Sequence, residues 1–66
     1  MTRKDYEKVA NVIAKVRSDW KAPHGGMLPL EVRHVIEEME DALAEMFTAD
    51  NDRFDRDRFL QACKVR

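Results

Sequence analysis

A stripe of apolar side chains recurs every three or four residues through the middle of the chain. Its members are Val32, Val35, Ile36, Met39, Leu43, Met46 and Phe47. This spacing places all of them on one side of an α-helix, so the stripe predicts an amphipathic helix of about 19 residues. Pro29 fits the first turn, and Asn51 is a candidate left-handed stop. Such a stripe has to be buried against a partner.

A second amphipathic segment near the amino terminus supplies that partner. Its apolar positions are Tyr6, Val9, Ala10, Ile13, Val16 and Trp20, and Val12 widens the face. Thr2 and Asp5 have the spacing of a capping box, and Met1 and Tyr6 have the spacing of a hydrophobic staple. The helix is therefore expected to begin at these residues.

Proline and glycine residues between the two stripes predict a tight connection. The first helix should stop near Ala22, because Pro23 disfavours helical geometry in the residue before it. The pair Gly25-Gly26 then permits backbone conformations that a turn requires. A short connection makes the two helices antiparallel neighbours, so the sequence predicts a helical hairpin.

Residues 52–59, DRFDRDRF, alternate acids and bases around two phenylalanines. If Asp55 is the N-cap of a third helix, Asp57 lies favourably in its first turn. Phe54 and Phe59 then occupy the two positions of a hydrophobic staple. This interpretation turns Phe59, Ala62 and Cys63 toward the core, while the alternative, a recognition epitope, stays open.

The predicted fold is all-α, an antiparallel helical hairpin plus a short third helix in a single domain over residues 1–66. A content of 2 Gly and 2 Pro, with 38% charged residues, fits such a helical domain. A chain this short has a small core, and several large apolar side chains exceed what the hairpin can cover. They are Val12, Trp20, Val35, Phe47 and Leu60. We therefore expect a symmetric dimer, in which these side chains are buried between the two copies.

The cysteine count, the length of the apolar runs and the net charge restrict the class of protein. The one cysteine, Cys63, allows no internal disulfide, and no apolar run approaches the roughly 20 residues of a membrane span. The sequence thus predicts a cytoplasmic protein without signal peptide or membrane segment. A net charge of -1 disfavours nucleic-acid binding, because proteins that bind phosphate backbones usually carry a basic excess.

The carboxyl-terminal pattern NxRFDRxRFLxAC over residues 51–63, with RKDY over residues 3–6, resembles short helical proteins encoded by bacteriophages of actinobacteria. Many such proteins have Pro at the position of Asp52 and Gly at the position of Lys64, so the chain departs from their pattern at both positions. The resemblance implies a phage protein acting in the host cell. It implies no activity.

Candidate sites for chemistry are sparse. Glu31, His34 and Glu38 can share one face of the second helix, and carboxylate with imidazole at this spacing can hold a metal. That face is expected to be solvated, so no metal is predicted. Cys63 with His24 or His34 offers a nucleophile and a base, but a hairpin of this size leaves little room for a cleft. No catalytic residue and no cofactor are predicted.

Charge is distributed unevenly along the chain. Residues 1–22 hold six basic and three acidic side chains, a net charge of +3, whereas residues 30–47 hold one basic and six acidic ones, a net charge of -5. One basic residue, Arg17, falls inside the apolar stripe of the first helix. A buried charge needs a partner, so we expect Arg17 to contact Glu40 at the edge of the second stripe.

These features predict a small non-enzymatic interaction protein that binds a host or phage protein. The expected partner-binding residues are Glu37, Glu38, Asp41, Glu45, Trp20 and Leu60. The alternative is a small helical DNA-binding or transcription-regulating protein in which Lys4, Lys8 and Lys15 meet phosphate. Met39 and Met46 either line an adaptable groove or are packed in the core, and the core is the favoured interpretation.

Overall fold

The computed structural model describes residues 2–64, which form three α-helices: α1 (Arg3–Lys21), α2 (Leu30–Asp50) and α3 (Arg56–Ala62). A single 3₁₀ turn, Ala22–His24, extends α1. The helices α1 and α2 are antiparallel, since Arg17 of α1 meets Glu40 of α2 while Tyr6 meets Phe47. The short α3 packs on both. The predicted all-α hairpin with a third helix is confirmed.

The start of α1 is held by a reciprocal capping box, as the sequence predicts. The Asp5 amide donates to the Thr2 hydroxyl at 3.4 Å, and the Asp5 carboxylate accepts from the Thr2 amide at 2.9 Å. The hydrogen bonds that the carboxylate accepts from the Thr2 amide and hydroxyl stabilise its ionised form and lower the pKa of Asp5. The predicted staple between Met1 and Tyr6 lies outside the described residues, because Met1 precedes them.

The connection after α1 is closely hydrogen-bonded. Gly25 and Gly26 have φ angles of 68° and 87°, in the left-handed region that glycine adopts without strain. The Gly26 amide donates to the Lys21 carbonyl at 2.9 Å, which satisfies the end of the helix. The Nδ1 atom of His24 lies 2.7 Å from the carbonyl oxygen of Trp20, and the His24 ring stacks on the Trp20 indole. The predicted stop near Ala22 is confirmed.

The ends of α2 differ in detail from the predictions. Pro29 is the N-cap, one position before the first helical residue, and its carbonyl accepts from the Arg33 amide at 2.9 Å. The predicted left-handed stop at Asn51 is wrong, because this residue is extended, with φ -148° and ψ 111°. Its side-chain oxygen instead accepts from the Arg53 amide at 3.0 Å. This side-chain turn redirects the chain without a left-handed residue.

The start of α3 follows the predicted pattern. The Asp55 carboxylate accepts from the Arg58 amide at 3.0 Å, which confirms the N-cap, and Asp57 lies in the first turn. The Phe54 and Phe59 rings contact one another with centroids 5.6 Å apart, which confirms the staple. A helix of seven residues is too short to be stable alone in water, so α3 depends on its packing against α1 and α2.

An aromatic cluster of Tyr6, Phe47, Phe54 and Phe59 forms the core at one end of the hairpin, with centroids 4.7 to 5.6 Å apart. Phe47 is only 2% exposed, so the expectation that the hairpin leaves it uncovered is wrong. The rotation of α2 places it at the centre of the buried face. Beyond this cluster the core contains small side chains, Ala14, Ala44 and Cys63, together with Ile13 and Ile36.

We expect Phe59→Ala to lower the free energy of unfolding by roughly 3–5 kcal/mol, because it removes a buried ring from the cluster that docks α3. The control Met46→Ala truncates a large apolar side chain that is half exposed, and we expect it to change stability by less than about 1 kcal/mol. Thermal and urea unfolding followed by circular dichroism measure both. Equal stability of the two variants would contradict the assignment of Phe59 to the core.

Candidate functional site

Seven large apolar side chains remain exposed along the two long helices, and six of them, all but Leu30, form what we term the apolar strip. The strip comprises Val12, Val16 and Trp20 of α1 and Val35, Met39 and Met46 of α2. Their exposed fractions range from 40% to 63%. The spacing of four or seven residues along each helix makes each set a row parallel to the helix axis.

Both rows lie on the same side of the hairpin. Val12 and Val16 each come one position before a buried residue of α1, Ile13 and Arg17. On α2 the same holds for Val35, Met39 and Met46, which precede the buried residues Ile36, Glu40 and Phe47. When two antiparallel helices face each other, the residues one position before the buried residues turn to the same side of the pair on both helices. The strip is therefore one surface that spans both helices.

The helix α3 covers the opposite side of the hairpin. Residues that come one position after the core positions contact this region: Glu7 follows Tyr6 and lines a cleft with α3. Asp41 follows Glu40, and its carboxylate lies 3.7 Å from the Arg56 guanidinium of α3. One face of the hairpin is thus covered by α3, and the other carries the apolar strip.

Charged side chains lie outside the strip on both helices. On α1, Lys8 and Lys15 are exposed and lie beside Val12. On α2, Glu38 and Glu45 are exposed, but Glu38 points away from the buried face, and Glu45 follows the buried Ala44 and lies one turn after Asp41, on the side of α3. The strip therefore has a basic margin along α1 and no acidic margin along α2.

The predicted acidic surface of α2 is divided by this geometry. Glu37 is half-buried, and Arg33 donates to its carboxylate at 2.8 Å, which lowers the pKa of Glu37. Asp41 is directed toward Arg56 on the α3 side. Glu45 lies one turn after Asp41 in the same row, and Glu38 points away from the buried face of α2. The acidic residues therefore lie apart from the apolar strip.

Two further predicted contact residues have different surroundings. Trp20 is 45% exposed and ends the α1 row of the strip, where a partner could reach it. Leu60 is half-buried and packs against the core from α3. Leu60 therefore contributes more to docking α3 than to an exposed contact surface.

The methionines Met39 and Met46 are 52% and 54% exposed, so their predicted place in the core is wrong. The centre of the buried face of α2 is instead formed by Glu40, Ala44 and Phe47. Flexible thioether side chains adapt to different partner shapes. Their exposure favours the groove interpretation that the sequence left open.

Arg17 and Glu40 form a buried bidentate ion pair, as predicted. The Arg17 guanidinium donates to the two carboxylate oxygens of Glu40 at 2.8 and 2.7 Å, and the two residues are 6% and 2% exposed. The hydrogen bonds to Glu40 raise the pKa of Arg17 despite its burial. The fork geometry of guanidinium and carboxylate restricts the relative placement of the two helices.

The candidate catalytic thiol is shielded from solvent. Burial raises the pKa of the Cys63 thiol to about 11, with the nearby Glu40 carboxylate as a second cause. The thiolate, which is the nucleophilic form, is therefore scarce at neutral pH. His24 is exposed at the turn, where it contacts Trp20 rather than Cys63. The buried cysteine interpretation of the sequence holds.

The candidate metal ligands Glu31, His34 and Glu38 are all exposed on α2. Within residues 2–64, no group of three or more His, Cys, Asp or Glu side chains is placed to hold a metal ion. The candidate phosphate contacts Lys4, Lys8 and Lys15 are exposed on α1.

A cleft that the sequence did not predict lies between α1 and α3. Its volume is about 310 Å³, and it is lined by the aromatic side chains of Tyr6, Phe54 and Phe59 together with Arg3, Glu7, Arg53, Asp55 and Arg58. The Tyr6 hydroxyl is buried and has no hydrogen-bond partner among the described residues. The guanidinium groups could hold a carboxylate, although Glu7 and Asp55 offset part of their charge.

Comparisons of the chain with protein-family models, with curated proteins and with solved structures gave no match. Among the described helices, none is both long enough and apolar enough to cross a membrane.

We expect Arg17→Met to lower the free energy of unfolding by roughly 3–5 kcal/mol, because it leaves the Glu40 carboxylate buried and unpaired. The double variant Arg17→Met/Glu40→Leu should recover most of this loss, since apolar replacement of both partners removes the desolvation cost. The control Arg33→Met breaks an exposed pair and should cost less than about 1 kcal/mol. Urea unfolding measures all three, and equal losses for Arg17→Met and Arg33→Met would refute a buried pair.

We also expect alkaline pH to destabilise the fold through Cys63. The pKa of this thiol is 9.0 when unfolded and about 11 when folded, so the folded state retains the proton longer. Its contribution is complete below pH 9 and declines by up to about 1.4 kcal/mol per pH unit until pH 11. Urea unfolding between pH 8 and 11 should show this decline relative to Cys63→Ala. Parallel pH profiles for the two proteins would contradict it.

Proposed function

We propose that this protein is a small, non-enzymatic, phage-encoded interaction protein that binds a host or phage protein in the bacterial cytoplasm. The apolar strip of α1 and α2 is the contact surface. The observation that carries the proposal is the continuity of this strip across both helices, on the face of the hairpin that α3 leaves uncovered.

The exposed apolar side chains of the strip can supply binding energy. Burying a large apolar side chain contributes about 1.5–3 kcal/mol relative to leaving it in water. The six side chains of the strip are already partly buried, yet their remaining exposed area could support a specific protein contact. A contiguous exposed patch of this kind is typical of interaction sites, whereas single exposed apolar residues are ordinary.

The basic margin along α1 supplies orientation. Lys8 and Lys15, which lie beside Val12, favour a partner with acidic side chains at the matching margin of its own contact surface. Such complementarity speeds association and disfavours wrong partners more than it adds affinity. Apolar burial thus provides the affinity, and the basic margin selects the partner and its orientation.

The phage assignment rests on the pattern of residues 51–63 and 3–6, which resembles small phage proteins of actinobacteria. The conformation of this segment accounts for much of the pattern in physical terms. Asp55 caps α3, and Phe54 and Phe59 attach it to the hairpin. These roles are structural, so they leave the strip as the surface for binding.

Nucleic-acid binding through the exposed lysines of α1 is the second candidate function. Lys4, Lys8 and Lys15 are free to meet phosphate on one side of α1. The exposed acidic side chains of α2, among them Glu38 and Glu45, would repel a phosphate backbone that extends from α1 across the hairpin. The net charge of -1 further disfavours this function.

A photo-crosslinking amino acid at Met39 tests the proposed function in an actinobacterial host cell. We expect irradiation to join the chain to a second polypeptide, because Met39 lies in the middle of the strip. The matched control carries the same group at Gln61, an exposed position of α3 away from the strip, and should give little product. Mass spectrometry identifies the crosslinked species.

Protein adducts at Met39 and at Gln61 in equal yield would count against a specific surface. Crosslinking to nucleic acid in place of protein, sensitive to rising salt, would support the DNA-binding alternative. Circular dichroism of both labelled proteins verifies that the helices are retained.

A further inference from the structure

We propose that the cleft between α1 and α3 is a binding site for a small aromatic carboxylate, a ligand with a flat ring and a single carboxylate group. The ring packs on the apolar floor of the cleft, and the carboxylate is held by the guanidinium groups of Arg53 and Arg58. The cleft lies on the side of the hairpin that α3 covers. The site is therefore separate from the apolar strip and independent of the proposed function.

The cleft is apolar at its floor and charged at its rim. The floor consists of buried and half-buried aromatic and small side chains, namely Tyr6, Ala10, Phe54, Phe59 and Ala62. The charged residues that line the same cleft are all exposed, and they are Arg3, Glu7, Arg53, Asp55 and Arg58. A ligand with an apolar body and one polar end fits this division.

The aromatic side chains of the floor favour a ring as the body of the ligand. The Tyr6 and Phe54 rings meet edge to face with centroids 4.7 Å apart, and the Phe54 and Phe59 rings lie 5.6 Å apart. A further ring packed on them adds edge and face contacts to its apolar burial. The cleft volume of about 310 Å³ is at the lower end of the roughly 300–1,000 Å³ of ligand pockets, so the ligand is small.

The charges of the rim leave two arginines for an anion. The Glu7 carboxylate lies 3.6 Å from the Arg3 guanidinium. The Asp55 carboxylate accepts from the backbone amide of Arg58 at 3.0 Å. The guanidinium groups of Arg53 and Arg58 have no ion-pair partner within residues 2–64. A carboxylate is the group with which a guanidinium forms paired, charge-assisted hydrogen bonds.

The same charges favour a ligand with one negative charge over a phosphate. Three basic and two acidic side chains line the cleft, which gives a net charge of +1. The carboxylates of Glu7 and Asp55 would repel a dianion more strongly than a monoanion. An inorganic phosphate would also leave the apolar floor without a contact.

The hydroxyl of Tyr6 is a second indication of a ligand. Tyr6 lines the cleft and is 8% exposed, and its hydroxyl is buried without a hydrogen-bond partner among the described residues. A buried hydroxyl in this state is unusual in a stable fold. A carboxylate oxygen supplies the missing acceptor. Because the hydroxyl is covered in the free protein, this contact requires a side chain of the wall to move, and the half-buried Phe54 lies against the Tyr6 ring.

Titration of the full, ¹⁵N-labelled chain with benzoate, phenylacetate and indoleacetate tests the site through amide NMR spectra. We expect at least one of these probes to give saturable shifts around Phe59, with a dissociation constant of about 1 mM or lower. The amides of Val35 and Met39 in the apolar strip should change little. Phenylacetamide lacks the charge and acetate lacks the ring, so each should bind at least about tenfold more weakly than the carboxylate probe.

Two double variants with the same change in charge test the arginines. Arg53→Gln/Arg58→Gln should raise the dissociation constant of the probe at least about tenfold. The matched control Arg33→Gln/Arg56→Gln removes two exposed guanidinium groups outside the cleft and should leave the constant within about twofold of the parent value. The amide of residue 58 still caps α3 in the first variant, and circular dichroism verifies the helices.

The variant Tyr6→Phe removes the hydroxyl and keeps the ring. The free protein should melt at the same or a higher temperature, because a buried donor without an acceptor is lost. The dissociation constant of the probe should nevertheless rise about threefold. A lower melting temperature with an unchanged dissociation constant would show that the hydroxyl serves the fold, and would remove Tyr6 from the site.

Three results would overturn the site itself. They are the absence of saturable shifts around the cleft with all three probes, equal affinity for phenylacetamide and phenylacetate, and equal dissociation constants for the two arginine double variants. None of them affects the apolar strip, which is tested by crosslinking at Met39. The two proposals therefore fail separately.

Discussion

The bidentate pair between Arg17 and Glu40 sets how α1 and α2 are rotated about their own axes, and the rest of the surface follows from that rotation. With these two residues at the centre of the contact, positions just before them in sequence turn to one side of the hairpin and positions just after them turn to the other. The first side carries the apolar strip and the second receives α3. A buried ion pair contributes little net stability, but it restricts the ways in which two amphipathic helices can align.

The sequence predicted correctly those features that depend on a few neighbouring residues, such as the caps at the helix starts. The capping pair Thr2 and Asp5 and the cap at Asp55 follow from donors and acceptors a few positions apart, and the structure contains these hydrogen bonds. The partner of Arg17 was predictable for a related reason. A charge within an apolar stripe must find an acid, and Glu40 is an acid at the edge of the facing stripe.

Features that depend on the relative placement of distant segments were beyond the same reasoning. Periodicity shows that α2 has an apolar face, but that face is wider than the contact with α1 and α3, so it does not show which members lie at its centre. Glu40 and Phe47 lie there, and Met39 and Met46 are left outside. The arginine-lined cleft brings together the start of α1, the segment after α2 and α3. No periodic pattern within one segment encodes such a meeting.

The position of Cys63 has a consequence for the dynamics of the domain. Its thiol is fully buried at the end of α3, close enough to Glu40 for the carboxylate to influence it electrostatically. A seven-residue helix held by tertiary contacts is a natural unit of local opening, which separates from the hairpin more often than the whole domain unfolds. Each such opening would admit water to the Arg17–Glu40 pair and expose the thiol at once. The rate at which a thiol reagent modifies Cys63 therefore reports how often α3 separates from the hairpin and exposes the core around Cys63 to solvent.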